Sequence, residues 1–132
     1  MKKLMLIAAA VAALVLIQGC ASTQIAKDND LSGQKISDES GVNNVAHVYG
    51  TNWGLYCCSI PLISGSTDKV GSIAWGQDTV NVASVVKMVT GKAQNLGGTS
   101  TLDLTSTTSS FWIFPTFVLF IRSVEVSGNA VK

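Results

Sequence analysis

Asp78-Thr79-Val80-Asn81-Val82-Ala83-Ser84-Val85-Val86-Lys87-Met88-Val89-Thr90-Gly91-Lys92-Ala93-Gln94-Asn95-Leu96-Gly97-Gly98 is the stretch whose periodicity decides the fold class. Val82, Val85, Val86, Val89, Ala93 and Leu96 recur at helical spacing and form one stripe, while Lys87, Lys92 and Gln94 fall off it. Asp78 reads as the N-cap and Gly97-Gly98 as the C-terminal stop. Valine is a modest helix former and Gly91 a poor one, so this helix depends on packing its stripe against something. On either side of it the period changes to that of strands.

Downstream, Thr99 to Thr105 alternates, with Leu102 and Leu104 on one face and Thr101, Asp103 and Thr105 on the other, as in a half-buried strand. Ser106-Thr107-Thr108-Ser109-Ser110 reads as a polar connection. Phe111 to Ser127 reads as one long strand or two in line. Phe117, Leu119 and Ile121 share one parity, Val124 and Val126 the other. A bulge near Arg122-Ser123 would bring all five to the core face; without it Arg122 points inward.

Upstream, Val45 to Ile60 favours β-structure, and Gly50 and Gly54 suggest a bulge, a bend or a close backbone approach. Pro61 ends pairing or lies on an edge. Residues 64–72 carry loop chemistry. The expected fold class is α+β: a small antiparallel sheet, one amphipathic helix packed across it, and a hairpin after the helix.

The first residues have a different character. Met1-Lys2-Lys3 is basic, Leu4 to Ile17 is uncharged and apolar, and Ile17-Gln18-Gly19-Cys20 closes the run. An apolar run of about 14 residues is shorter than the roughly 20 that a transmembrane helix needs. It fits the core of a secretory signal peptide. An ordinary cleaved signal would prefer a small-x-small site, and Ala8-Ala9-Ala10 falls too early for one. The expected organisation is a signal peptide over 1–19, an N-terminus and flexible polar tether over 20–44, whose lipidation the resemblance described next implies, and a single α+β domain over 45–132.

Ile17, Gly19 and Cys20 resemble the lipobox of bacterial lipoprotein signal peptides; Gln18 departs from its usual small or aliphatic residue. The resemblance implies a diacylglyceryl group on the Cys20 thiol, cleavage before Cys20 and acylation of the new amine. Several acyl chains matter because each buried methylene contributes about 0.8 kcal/mol and one chain binds only marginally. Ala21 stands where an Asp would favour inner-membrane retention, so the resemblance implies the outer membrane, facing the periplasm, in a Gram-negative host. Ala93 to Leu102 and Val124 to Ala130 are loosely similar to small envelope lipoproteins of unknown function, which adds weight to a helix-on-sheet domain.

Composition narrows the functions. The chain has 132 residues, net charge +1 and 47% hydrophobic residues. Without Lys2 and Lys3 it is weakly acidic, so nucleic acid is not an expected partner. The expected partners are the membrane, through lipid on Cys20, and an envelope protein.

Four sets of residues are candidates for chemistry or binding. Cys57-Cys58 are neighbouring thiols, open either to a strained vicinal disulfide or to the role of small buried hydrophobes. His47, the single histidine, shares strand parity with Cys57 and could pair with a thiol as base to nucleophile. Trp53, Trp75 and Trp112 could line a ligand groove or pack as core and rim. Phe111 to Ile121 is either an exposed aromatic patch for a partner or membrane surface, or a strand buried in part of its length.

Ser66-Thr67-Asp68-Lys69 and Ser84-Val85-Val86-Lys87 match S-x-x-K, the nucleophile motif of penicillin-binding proteins. The companion motifs are absent and the chain is too short for that fold. No metal or cofactor is expected. The expected role is a non-enzymatic binding, sensing or structural one for a lipid-anchored envelope protein. A small envelope enzyme using Cys57 or Cys58 with His47, and a small-ligand-binding lipoprotein, are the alternatives.

Overall fold

In the computed structural model, residues 20–27, 43–113 and 118–132 are described. The elements are β1 (Ala21–Ala26), β2 (Asn44–Cys57), β3 (Ile60–Gly65), β4 (Ile73–Trp75), α1 (Val82–Asn95), β5 (Ser100–Trp112) and β6 (Leu119–Val131). They form a six-stranded antiparallel sheet ordered β4-β3-β2-β6-β5, with the single described helix on one face. β1 joins the same edge of β2 as β3, pairing with His47 to Asn52 while β3 takes Gly54 to Cys57. The architecture is therefore more β-rich than the sequence suggests.

The helix follows its stripe with a small rotation. Val85, Met88, Val89 and Ala93 are buried, whereas Val82 is exposed. The N-cap is Asn81 and not Asp78: Asn81 Oδ1 accepts the Ser84 N–H at 2.8 Å. Val80 is fully buried, so the chain stays extended until that residue has entered the core. At the other end, Leu96 is the C-cap and Gly97 adopts φ +88°, the left-handed conformation that glycine allows at no steric cost.

Along β2, every even residue from Ala46 to Tyr56 is buried and faces the helix. Val124, Val126 and Ala130 of β6 do the same. Gly50 and Gly54 are close-approach positions. A Cβ on Gly50 would lie 2.5 Å from Val89 Cγ2 and 3.0 Å from Met88 Cε. The missing side chain is what lets α1 sit on the sheet.

Several expectations are corrected. Ala21–Ala26, read as tether, is a strand. Backbone pairing with β2 does not require an apolar alternation, and the small Ala21 side chain is part of the core. The remainder of the tether, residues 28–42, and the signal segment 1–19 lie outside the described residues.

Ser106 to Ser110 is the middle of β5 and not a connection. Its hydroxyls pair with β6, Thr105 with Ser127 and Ser109 with Ser123, both at 2.7 Å. Phe111 and Trp112 belong to β5, and β6 begins at Leu119. No bulge occurs at Arg122-Ser123; the pairing of β6 with β2 and β5 runs through it without a shift. Leu119 and Ile121 therefore lie on the face away from the helix, and Arg122 on the helix side opposite Gly54 and Ser110. Phe117 lies outside the described residues.

Gly50, beneath α1, and Gly91, within it, should behave oppositely. Gly50→Ala overpacks Val89 and Met88 and should lower the unfolding free energy by about 1–3 kcal/mol. Gly91→Ala, where no heavy atom lies within 4 Å, should raise it by about 1 kcal/mol. Urea midpoints of the two variants check both.

Candidate functional site

Cys20 stands at the point where the described fold begins. Its carbonyl accepts the Trp53 N–H at 2.9 Å, and the next residue, Ala21, pairs with Asn52 and accepts the Gly71 N–H at 3.1 Å. Gly65, the last residue of β3, packs directly on this junction. A Cβ there would overlap the Cys20 and Ala21 backbone and Asn52 Oδ1. Cys20 is consequently 1% exposed, and burial pushes its thiol pKa up against a smaller lowering by a backbone hydrogen bond. A buried, protonated thiol is a poor nucleophile.

Beneath the junction lies a polar network on the helix side of β2 and β3. Asn52 Nδ2 donates to Thr79 O at 2.9 Å and to Gly65 O at 3.2 Å. Asn52 Oδ1 is buried without a hydrogen-bond partner among the described residues. Ser64 Oγ contacts Gln77 O at 2.7 Å and Thr79 Oγ1 at 2.8 Å, and Thr79 Oγ1 reaches Gly65 O at 2.5 Å. The two hydroxyls have two protons for these three contacts, so at any moment one contact lacks a proton. Tyr56 O–H donates to Asp78 Oδ1 at 2.7 Å. The segment before α1 is thus fastened to the sheet by hydrogen bonds where α1 does not reach. Sequence reasoning missed Gly65 and Asn52; a glycine in Ser-Gly-Ser carries turn chemistry and nothing that distinguishes a packing role.

The other candidates do not converge. His47 and Cys57 lie near opposite ends of β2, about 33 Å apart at ~3.3 Å per residue. His47 Nδ1 is instead 2.8 Å from Asn129 Oδ1. Cys57 is half-buried and Cys58 is exposed in the β2–β3 turn at φ +55°, both as free thiols. Among the described residues no group of three or more His, Cys, Asp or Glu side chains is placed to hold a metal.

The tryptophans do not share a groove. Trp112 packs with Phe120 on the helix side of the sheet, with ring centroids 5.1 Å apart. Trp53 and Trp75 belong to the opposite face by strand register. A shallow groove of about 430 Å³ lies between α1 and the β3–β4 loop, lined by Asp68, Val70, Lys87 and Lys92 among others. Its one ion pair, Lys87–Asp68 at 3.8 Å, is more than four-fifths exposed on both sides, so it contributes little.

The open face of the sheet carries a feature that the strand register creates. Trp75, Ile63, Leu55, Ile121 and Phe111 are direct neighbours across β4, β3, β2, β6 and β5. One step nearer the β5–β6 connection, Ile60, Cys57 and Leu119 form a second apolar row. On the helix side at the same level, Tyr56 stacks on Phe120 with centroids 5.2 Å apart, and Trp112 lies tilted against Phe120 at 5.1 Å.

No protein-family model, curated protein or solved structure matches the chain.

Two measurements test this geometry. Alkylation of the folded, unlipidated chain should label Cys58 rapidly and Cys20 only after denaturant is added, as read by mass. Tyr56→Phe should lower stability by about 1 kcal/mol, since exposed Asp78 recovers part of the loss from water. The Tyr56 hydroxyl pKa is raised by burial first, then by the hydrogen bond and charge of Asp78, against a smaller lowering by Arg122. Stability is therefore complete below the unfolded tyrosine value of about 10 and declines above it. Tyr56→Phe should flatten that alkaline decline in unfolding midpoints measured across pH.

Proposed function

We propose that this chain is a bacterial lipoprotein held in the cell envelope by lipid on Cys20, with a binding, sensing or structural role and no catalytic one. The observation that carries the reading is the position of Cys20. It ends a basic, then apolar, then small-residue segment, and it immediately precedes the first strand. Cleavage before it would remove none of the described elements. No described helix is long and apolar enough to cross a membrane, so the acyl chains would supply the attachment.

The burial of Cys20 sets an order of events on this reading. The thiol must receive its lipid before β1 adds to β2, because the folded junction has no room for a modifying enzyme at that atom. In the lipidated, folded protein the Cys20 side chain must turn out of the buried position that the free thiol takes, because that position leaves no room for a diacylglyceryl group. Export of an unfolded chain followed by modification at the membrane satisfies the order.

A thiol enzyme lacks comparable support, since His47 is held by Asn129 far from Cys57 and Cys58. A ligand site lined by all three tryptophans lacks it as well, since Trp112 lies across the sheet from the other two.

Intact mass and membrane fractionation test the proposal. The mature protein should begin at Cys20 with added acyl mass and sediment with membranes. Cys20→Ala should lose that mass and leave the membrane fraction. An unmodified full-length chain, or a mature N-terminus elsewhere, would overturn the reading.

A further inference from the structure

We infer that the end of the sheet carrying Phe111, Trp112, Ile60 and Leu119 is a membrane-docking surface, inserted into the bilayer to which the Cys20 lipid holds the protein. This rests on the lipid-anchored reading and adds an orientation to it.

The first argument is chemical. Residues 55–63, 73–75, 111–113 and 118–121 contain no charged side chain. Phe111, Trp112, Ile60 and Trp75 are each at least 60% exposed. Val118 and Leu62 are exposed as well. Exposed apolar residues scattered singly need no explanation, but a contiguous charge-free end of a sheet does. Arg122 and Asp78 stand at its upper boundary beside Tyr56.

The second argument selects the occupant. This end is apolar on both faces, through Phe111, Ile121 and Leu119 on one and Trp112 and Phe120 on the other. A second sheet packing face to face would cover one of them and leave the other wet. A bilayer surrounds both. Tryptophan and tyrosine are the residues that favour the level where acyl chains meet headgroups.

The third argument is distance. Cys20 is bonded to the Trp53 backbone, two residues above Leu55 in the apolar row, or about 7 Å along the strand. Interfacial protein elements bury apolar residues about 5–10 Å into the headgroup and acyl boundary. With Cys20 at the headgroup level, the first apolar row lies at that depth and the second, four residues from Trp53 at Cys57, reaches about 13 Å. A tether after Cys20 would have uncoupled the two, and β1 starts at the very next residue.

The test uses the lipoprotein purified from bacterial membranes and reconstituted into phosphatidylethanolamine and phosphatidylglycerol vesicles containing acyl-chain-brominated lipid. One variant retains Trp112 alone (Trp53→Phe with Trp75→Phe), and a second retains Trp53 alone (Trp75→Phe with Trp112→Phe). Trp112 emission should fall at least about twofold on bromination and resist iodide, with Trp53 quenched less. If acyl mass is present on Cys20 but Trp112 is unquenched and open to iodide, the docking surface is wrong and the anchor stands. If Trp112 is unquenched yet shielded from iodide and the protein crosslinks as a dimer, the surface belongs to a second copy and the inference falls. If no acyl mass is found and the protein leaves the vesicles, the anchored reading and the orientation fall together.

Discussion

The long antiparallel pairing of β2 with β6 is the constraint on which the rest of the molecule depends. From Ala46 opposite Ala130 to Cys57 opposite Leu119 it runs without a shift. Because side chains alternate strictly, that one register assigns Val48, Val124 and Val126 to the helix and Leu55 and Ile121 to the other side. A slip of one residue would place the valine core in solvent. The central pair thereby fixes where α1 docks, which edge β5 extends and which residues form the apolar rows.

Coverage by α1 is incomplete, and the protein completes its helix-side layer by a second means. A fourteen-residue helix spans about 21 Å at 1.5 Å per residue, against roughly 46 Å for fourteen residues of strand. Beyond the helix, the Gln77–Thr79 segment closes over β2 and β3 by hydrogen bonds from Asn52, Ser64, Thr79 and Tyr56. Three of these bonds end on backbone carbonyls, those of Thr79, Gln77 and Gly65, and the fourth on the Asp78 carboxylate, so polar groups that apolar burial would leave unpaired are satisfied here. Past Tyr56 even this layer stops, and Phe111 and Trp112 at the end of β5 are exposed.

The sequence declares its helix because valines at helical spacing and a paired-glycine stop are local signals. It also flags Gly50 and Gly54, with a close backbone approach as one of three readings. What it conceals has a physical reason in each case. β1 is a strand by virtue of a partner 21 to 31 residues away, and its own Ser22-Thr23-Gln24 has no apolar alternation to reveal it. The Ser/Thr run of β5 imitates a loop, yet threonine is also a strand former, and its hydroxyls here form cross-strand pairs. The expected bulge at Arg122 assumed that every apolar residue of β6 must reach one core. A sheet with an open face has no such requirement, so both parities can be apolar. Of the candidate residues, the separation of Trp112 from Trp53 and Trp75 follows only from strand register.

Gly65 connects the fold to its proposed attachment. It is the residue against which Cys20 and Ala21 pack, and any side chain there would overlap the backbone of both. Were β1 lifted from β2 at this point, an anchor on Cys20 would be joined to the sheet through a slack segment, and the domain could rotate freely above the bilayer. With β1 seated, one backbone hydrogen bond to Trp53 and the pairing of Ala21 with Asn52 transmit the anchor's position directly to the central strand. Orientation is then a property of strand register, because the same β2 that receives Cys20 at Trp53 carries Leu55 and Cys57 into the apolar rows. On the lipid-anchored reading, the small residues Ala21 and Gly65 turn a membrane attachment into a membrane orientation.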